Sequence, residues 1–311
     1  MRKSFVGAIA GGALAVGGMV FGAVAMAPTA QADTISITSF DDFSSYFQQQ
    51  GYSIQNWKKG TQEVPRFVIL DIPEEWRKRI APEVPVPEKK QIFFRLTIPL
   101  AFVANNIVAA DQAKLRDVRK KYRETGSVPA ADQDWLQKAA SEYAVKMEKI
   151  TEEVFVALEE RIDIIPPSLM IAQMAEESGW GTSRFAAEGN ALFGQWSYTG
   201  GLKPEEQRSG KGDYRVEAFK TPLGSIRAYM TNLNSNGAYD GFRKLRAQLR
   251  AAGKPLTGPE LVGTLIDYSE RREAYVKILQ EIIESNTLAP LDHARLAAGE
   301  TIYIRLDEGA D

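Results

Sequence analysis

Apolar residues recur three and four positions apart along most of this chain, as in helices that bury one face. The spacing predicts helices over Phe40–Gln49, Pro73–Ile80 with Asp71 as its cap, and Lys89–Tyr122, with Pro99 as a kink and Gly126 as the stop. It predicts further helices over Ala131–Met147, Thr151–Glu160, Ser168 to the glycine stop at Gly179, Pro222–Asn234, Asp240–Ala252, Pro259–Tyr268 and Glu273–Glu284. Strand patterning is sparse. PRFVIL (65–70) reads as extended, and the glycine- and aromatic-rich stretch 189–219, with alternations such as Tyr214-Arg215-Val216, reads as loops around a small hairpin. APEVPVPEKK (81–90) reads as a linker or surface strap, and Ala289–Asp311 shows no period. The expected class is mainly α (α+β).

One apolar run is long enough to raise a membrane span. Ile92–Ala110 is interrupted by Arg95, Asn105 and Asn106, which are costly in lipid, so a buried core helix is the expected reading. The first 32 residues differ. Met1-Arg2-Lys3 is cationic, Phe5 to Met26 carries no charge, and Ala30-Gln31-Ala32 fits a secretory cleavage site before Asp33. The expectation is a signal peptide; the alternative is a retained anchor, because those uncharged residues could just span a bilayer. The division expected is a leader (1–32), a mostly helical N-terminal region packed on the catalytic domain (33–150), a catalytic domain (151–288) and a tail (289–311).

Composition narrows the chemistry. Apolar residues make up 44% of the 311, enough for a sizeable core. The formal net charge is −2, and losing Arg2 and Lys3 with the leader takes it to −4, which disfavours nucleic acid as a partner. There is no cysteine, hence no disulfide or thiolate, and the one histidine, His293, leaves no multi-histidine metal site or His-based triad. No phosphate-binding G-x-x-x-x-G-K-[ST] loop is present. No cofactor or metal is expected, and chemistry falls to carboxylates. Arg243, Lys244, Arg246, Arg250 and Lys254 form a basic helix that is either a solvated face or a patch for anionic polymers.

AQMAEESGWGTSRF (172–185) holds the sharpest candidate. A helix ending at Gly179 puts Glu177 in the last turn, where the negative helix terminus and aromatic neighbours favour a protonated carboxyl. Glu176 lies about 100° round the helix, and Gln173, four residues earlier, shares the face of Glu177. A raised acid of this kind can protonate a departing sugar oxygen, but a glutamate in such a place is also an ordinary solvated terminus.

The stretch PPSLMIAQMAEESGWGTSRFAAEGNALFGQWSY (166–198) resembles the core motif of bacterial N-acetylglucosaminidases of glycoside hydrolase family 73, in particular their Bax-type periplasmic branch. The resemblance continues through VEAFKTPLGSIRAYMTNLNSNGAYDGFRKLR (216–246) and YSERREAYVKILQEIIESN (268–286), and upstream through VPRFVILDIPEEW (64–76) and KKQIFFRLTIPLAFVANN (89–106). It implies a lysozyme-like helical domain with a small β-hairpin flap, and cleavage of β-1,4 bonds in peptidoglycan glycan strands by an endo-β-N-acetylglucosaminidase. In the shared A-Q-x-x-x-E-S-x-W pattern the catalytic acid falls on Glu177 and a variable position on Glu176. The resemblance also implies a role for Tyr268 in orienting water or the N-acetyl group, against which stands ordinary packing at a helix end.

Substrate-binding candidates are Gln173, Trp180, Asn190, Phe193, Trp196 and Tyr198, some of whose aromatics must be core. Gly189-Asn190-Ala191 departs from the usual N-N-L-F-G by an alanine, which removes one side-chain hydrogen bond. The second catalytic group is open among Glu188, Glu205, Glu206, Asp213 and Glu217. Two alternatives stand beside the glucosaminidase: a lytic transglycosylase or muramidase on the same fold, which would typically carry G-L-M-Q where this chain has A-L-F-G-Q-W, and an inactive wall-binding protein. Export across the inner membrane to the periplasm, with no membrane attachment after cleavage and a monomeric state, completes the expectation.

Overall fold

The computed structural model describes residues 34–37, 40–50, 52, 63–207, 209, 210 and 212–306. The expected leader lies outside these residues. The observed class is mainly α, as the periodicity implied. In chain order the elements are β1 (Thr34–Ile37), α1 (Phe40–Gln49), β2 (Glu63–Val64) and β3 (Phe67–Ile69). A π turn, Trp76–Ile80, then runs into α2 (Ala81–Glu83), followed by α3 (Val86–Thr125), α4 (Ala130–Glu142), α5 (Glu152–Arg161) and α6 (Pro167–Ser178). Next come α7 (Arg184–Gly189), β4 (Trp196–Ser197), β5 (Arg215–Val216), α8 (Pro222–Ser235), α9 (Asp240–Ala251), α10 (Gly258–Leu261), α11 (Glu273–Ser285), β6 (Arg295–Leu296) and β7 (Ile302–Leu306).

α3 is the central beam. It packs against α5, α6 and α8, and 72% of its most apolar window is buried inside the protein, which accounts for the apolar run without a membrane. Asn105, which interrupts that run, donates to the Ile165 carbonyl (2.8 Å) and accepts from the Ile165 N–H (3.1 Å), so a buried polar side chain fixes the backbone just ahead of α6. Gly126 closes the helix in the left-handed conformation, φ 71°. α6 is buried along nearly its whole length. Its first turn is held by Asp292, whose carboxylate accepts from the Ser168 N–H (2.8 Å), the Ser168 hydroxyl (2.6 Å) and the Gly258 N–H (2.8 Å). A Cβ at Gly258 would lie 2.1 Å from Ser168 Oγ, so only glycine permits this approach.

Several expectations are corrected. APEVPVPEKK is no strap: α2 occupies its start and α3 begins at Val86, with Pro82 and Pro87 in first turns where a missing N–H breaks no helical bond. Asp71 does not cap a helix; it accepts from the Asn190 amide at 3.4 Å. The helix expected over Ala131–Met147 stops at Glu142, where Ala144 turns to φ 54°. The one expected over Pro259–Tyr268 is α10 followed by a 3₁₀ turn, Val262–Leu265. The described residues of the aperiodic tail, 289–306, form a 3₁₀ turn, Ala289–His293, and two strands. β7 lies between β1 and β3, parallel to both, and β6 pairs with β2.

The basic helix α9 is a solvated face only in part: Lys244 and Arg250 are exposed, as is Lys254 just past its end. Arg243 and Arg246 are buried, at 1% and 0% exposure. Arg246 donates to the carbonyls of Glu160, Asp163 and Ile164 and to Asn234 Oδ1, and it pairs with Asp163 at 3.5 Å. Arg250 also donates to Asp163, at 2.6 Å. α9 is therefore fastened by these arginines to the end of α5 and the approach to α6.

Candidate active site

The site forms where α6 ends. Gly179, Trp180 and Gly181 follow one another in the left-handed region, at φ 59°, 62° and 74°. The Trp180 N–H returns to the Ala175 carbonyl (2.9 Å), closing the helix. Ser178 stabilises the turn: its hydroxyl donates to the Met174 carbonyl (2.6 Å) and accepts from the Gly181 N–H (2.8 Å). This gives the serine after Glu177 a structural reason.

Glu177 is 8% exposed. Burial pushes its carboxyl up to about 7, with a further upward push from Glu176; a hydrogen bond from Tyr275 and the Arg271 charge pull the other way. Glu176 is a different kind of group. It is partly exposed and ion-paired with Arg271, which donates to it at 2.8 Å. The two adjacent acids thus differ in environment as well as direction.

Four tyrosines bear on Glu177. Tyr229, Tyr239, Tyr268 and Tyr275 are all buried, and burial together with the Glu177 charge raises every one of their hydroxyls. Tyr268 and Tyr275 are stacked at 5.4 Å with 8° between planes, and Tyr239 lies 5.8 Å from Tyr268. Tyr268, singled out in the sequence, therefore sits in the same cluster as Glu177. Tyr275, Tyr229 and Tyr239 were missed. The Y-S-E-R-R-E-A-Y spacing contained Tyr275, but its link to α6 is non-local and has no sequence signal.

The substrate-binding candidates separate by burial. Gln173 is wholly buried; it accepts from Tyr229 Oη (2.5 Å) and donates to Tyr275 Oη (3.1 Å), so it serves the cluster and not a sugar hydroxyl. Phe193 is wholly buried and stacked on Tyr229 at 3.8 Å, which makes it the core member of the aromatic set. Asn190 is also a structural group. It ends α7 at φ 52°, accepts from the Ile72 N–H (3.0 Å), and donates to Asp71 and to the Phe219 and Lys220 carbonyls. Trp180 is half-buried against Phe93 and Phe94, with the Lys90 ammonium 4.7 Å above its ring. Trp196 stacks on Tyr214 in the flap (4.2 Å), and Tyr198 projects from it, 57% exposed.

The flap is the antiparallel pair β4–β5, with Trp196 opposite Val216. Four of the five flap acids are solvated or paired. Glu188 pairs with Arg77 and Arg184, Asp213 with Lys203, which holds it below the usual range, and Glu205 and Glu206 are exposed. Glu217 is half-buried, is raised by that burial, and has no ion pair among the described residues. No cluster of three potential metal-ligating side chains occurs among the described residues.

Residues 152–288 match the family model described as "Glucosaminidase: Mannosyl-glycoprotein endo-beta-N-acetylglucosaminidase". Protein bax of Escherichia coli (strain K12) is 33% identical over 202 residues, spanning 64% of this chain and 70% of that protein. The crystal structure of the catalytic domain of the autolysin Auto from Listeria monocytogenes is similar over 57% of this chain and 96% of that one, at 19% identity and a TM-score of 0.31. The matched family segment contains Glu177, all four tyrosines of the cluster and Glu217.

Proposed function

The chain belongs to the glucosaminidase family of glycoside hydrolases, and on that premise we propose that it is an exported peptidoglycan hydrolase of the Bax type, cleaving glycan strands as an endo-β-N-acetylglucosaminidase with Glu177 as general acid. The observation that carries the reading is the state of Glu177: a buried carboxyl at a helix C-terminus, raised to about 7, inside the family segment. Near neutrality such a group holds a proton in a substantial fraction of molecules and can release it to the departing sugar oxygen, the condition under which general acid catalysis is efficient.

The second carboxylate in this reading is Glu217. It is the flap acid that is half-buried and raised by that burial, with no ion pair among the described residues, so its basicity is available to a water or an N-acetyl group on the sugar. Trp196 and Tyr198 supply aromatic surface on the same flap. The enzyme acts as a monomer in the periplasm after loss of the leader, which the mass of the exported protein tests directly.

Purified wall sacculi provide the main test. Wild-type protein releases fragments with N-acetylglucosamine at their reducing ends, and Glu177→Gln, folded as judged by circular dichroism, releases none. Undiminished activity of the variant removes Glu177 from the mechanism. N-acetylmuramic acid ends, or an anhydro product, would replace the glucosaminidase by a muramidase or a transglycosylase, and sacculus binding without cleavage would leave a wall-binding protein.

A further inference from the structure

The hydroxyl and amide contacts behind Glu177 have a direction. Tyr229 donates its proton to Gln173 Oε1 at 2.5 Å. With that oxygen occupied as an acceptor, the amide turns its Nε2 towards Tyr275 and donates to its oxygen at 3.1 Å. Tyr275, whose oxygen accepts from Gln173, keeps its own proton to give, and Glu177 is the acidic group whose titration it bears on. Tyr229, Gln173 and Tyr275 are all buried, so the bonds between them are not exchanged for water.

We propose that Tyr275 is a positioning residue for the catalytic acid, locked by Gln173 and Tyr229 into a one-way hydrogen-bond chain that aims a donor at the Glu177 carboxylate. The inference rests on the reading of Glu177 as general acid and adds what the wall of the site does to it. Burial alone would hold the carboxyl protonated too firmly to part with its proton. A donor fixed on the carboxylate favours the ionised form, the form Glu177 reaches once it has protonated the leaving oxygen. The chain also fixes one carboxyl oxygen, leaving the other to face the substrate.

The other groups around Glu177 cannot substitute for this donor. Glu176 on its own helix is a like charge, neutralised by Arg271. Tyr268 and Tyr239 act on Glu177 through charge alone and make no hydrogen bond to it. Of the other elements packed on α6, α3 presents Lys90, held over Trp180, and the Ala289–His293 turn presents Asp292, which is bonded at the opposite end of the helix.

The test is the titration of Glu177 itself, read in the substrate-free protein by carbon NMR of side-chain-labelled glutamate and assigned with Glu177→Gln. Tyr275→Phe removes only the hydroxyl and is expected to move the titration upward by about one unit, carrying the alkaline limb of the sacculus-digestion profile with it. Tyr229→Phe leaves Tyr275 intact but frees the Gln173 amide, and moves both in the same direction by less. Lowered melting temperatures with an unmoved titration would overturn the proposal and leave the tyrosines as packing. Should Tyr275→Phe fail to fold, Gln173→Met and Tyr229→Phe decide: an unmoved titration in both overturns the chain. Because the NMR signal needs no substrate, the two readings fail separately. A shifted titration in a protein inert on sacculi sinks the glycosidase assignment, whereas an unmoved one in an active protein sinks only the chain.

Discussion

If burial holds the Glu177 carboxyl near 7, that residue must destabilise the folded protein at and above neutral pH. The unfolded chain ionises this glutamate at about 4.5, so between 4.5 and about 7 the folded state retains a proton that the unfolded state has lost. Stability attached to this group is complete below 4.5, falls as pH rises through the interval, and is lost above the folded value. A displacement from 4.5 to about 7 corresponds to about 3 kcal/mol, a large fraction of an ordinary domain's stability. Glu177→Gln keeps the shape and an oxygen to accept from Tyr275 but has no charge to bury. Urea denaturation of the two proteins at half-unit steps from pH 4 to 8.5 gives the difference directly. The variant should match wild type near pH 4 and exceed it by about 3 kcal/mol above pH 7.5. Subtraction removes the contributions of Asp292 and Glu217, which burial also raises and which both proteins share. A difference that does not vary with pH, or one favouring wild type at pH 8, would refute the claim that Glu177 is held protonated by its surroundings.

Three further outcomes follow from the geometry. Arg246→Ala takes the buried donor from the Glu160 and Ile164 carbonyls and from Asn234 Oδ1, while Asp163 keeps Arg250 and Gln112, and should cost about 3–5 kcal/mol in urea denaturation; less than about 1 would mean these contacts are not buried as described. Phe193→Ala should cost about 3–5 kcal/mol by opening a void beneath Tyr229, whereas Tyr198→Ala should stay within about 0.5 kcal/mol and weaken sacculus binding in a pelleting assay; equal stability effects would place the two rings in like environments, against their burial. Glu217→Gln should lower turnover on sacculi about 100-fold or more with the fold intact, while Glu205→Gln stays within about twofold; the reverse order would move the second carboxylate elsewhere on the flap.

Local pattern carried the helices and the position of Glu177, because a stop glycine, a preceding pair of prolines and a 3.6-residue period are written in consecutive residues. It did not carry the surroundings. Tyr275 reaches α6 across about a hundred positions, and in the sequence the Gln173 amide that links it to Tyr229 resembles a sugar ligand, because its burial depends on α8 and α11 packing over it. The arginines of α9 misled for the same reason. The partners of Arg246 are mostly backbone carbonyls more than eighty positions away, and a carbonyl leaves no mark in a sequence. The tail failed differently: β6 and β7 pair in parallel with strands near the other end of the chain, so their pattern answers to a sheet assembled from distant pieces. Asn190 fell between these cases. Its left-handed cap position fits an asparagine after a short helix, yet the four groups its amide serves belong to two separate segments, 71–72 and 219–220.

The segment matched by the family model begins at Glu152, but the turn that presents Glu177 is held from outside it. Trp180 is a bulky residue in the left-handed region, a conformation that costs about 1–3 kcal/mol and persists only when its surroundings over-determine it. Its ring is fixed by Phe93 and Phe94 at 5.5 and 5.6 Å and by Lys90, all on α3. Its carbonyl accepts from the indole N–H of Trp76, at 3.4 Å. The same indole sits 3.3 Å from where a Cβ on Gly181 would stand, so the third residue of the turn is set by Trp76 as well. At the other end of α6 the fixing group is Asp292, beyond the matched segment on the C-terminal side. A carboxyl whose chemistry depends on exclusion of water needs both ends of its helix immobile, and here both restraints lie outside the family core. The N-terminal elements and the tail strands that pair with them are therefore part of the structure that gives Glu177 its environment.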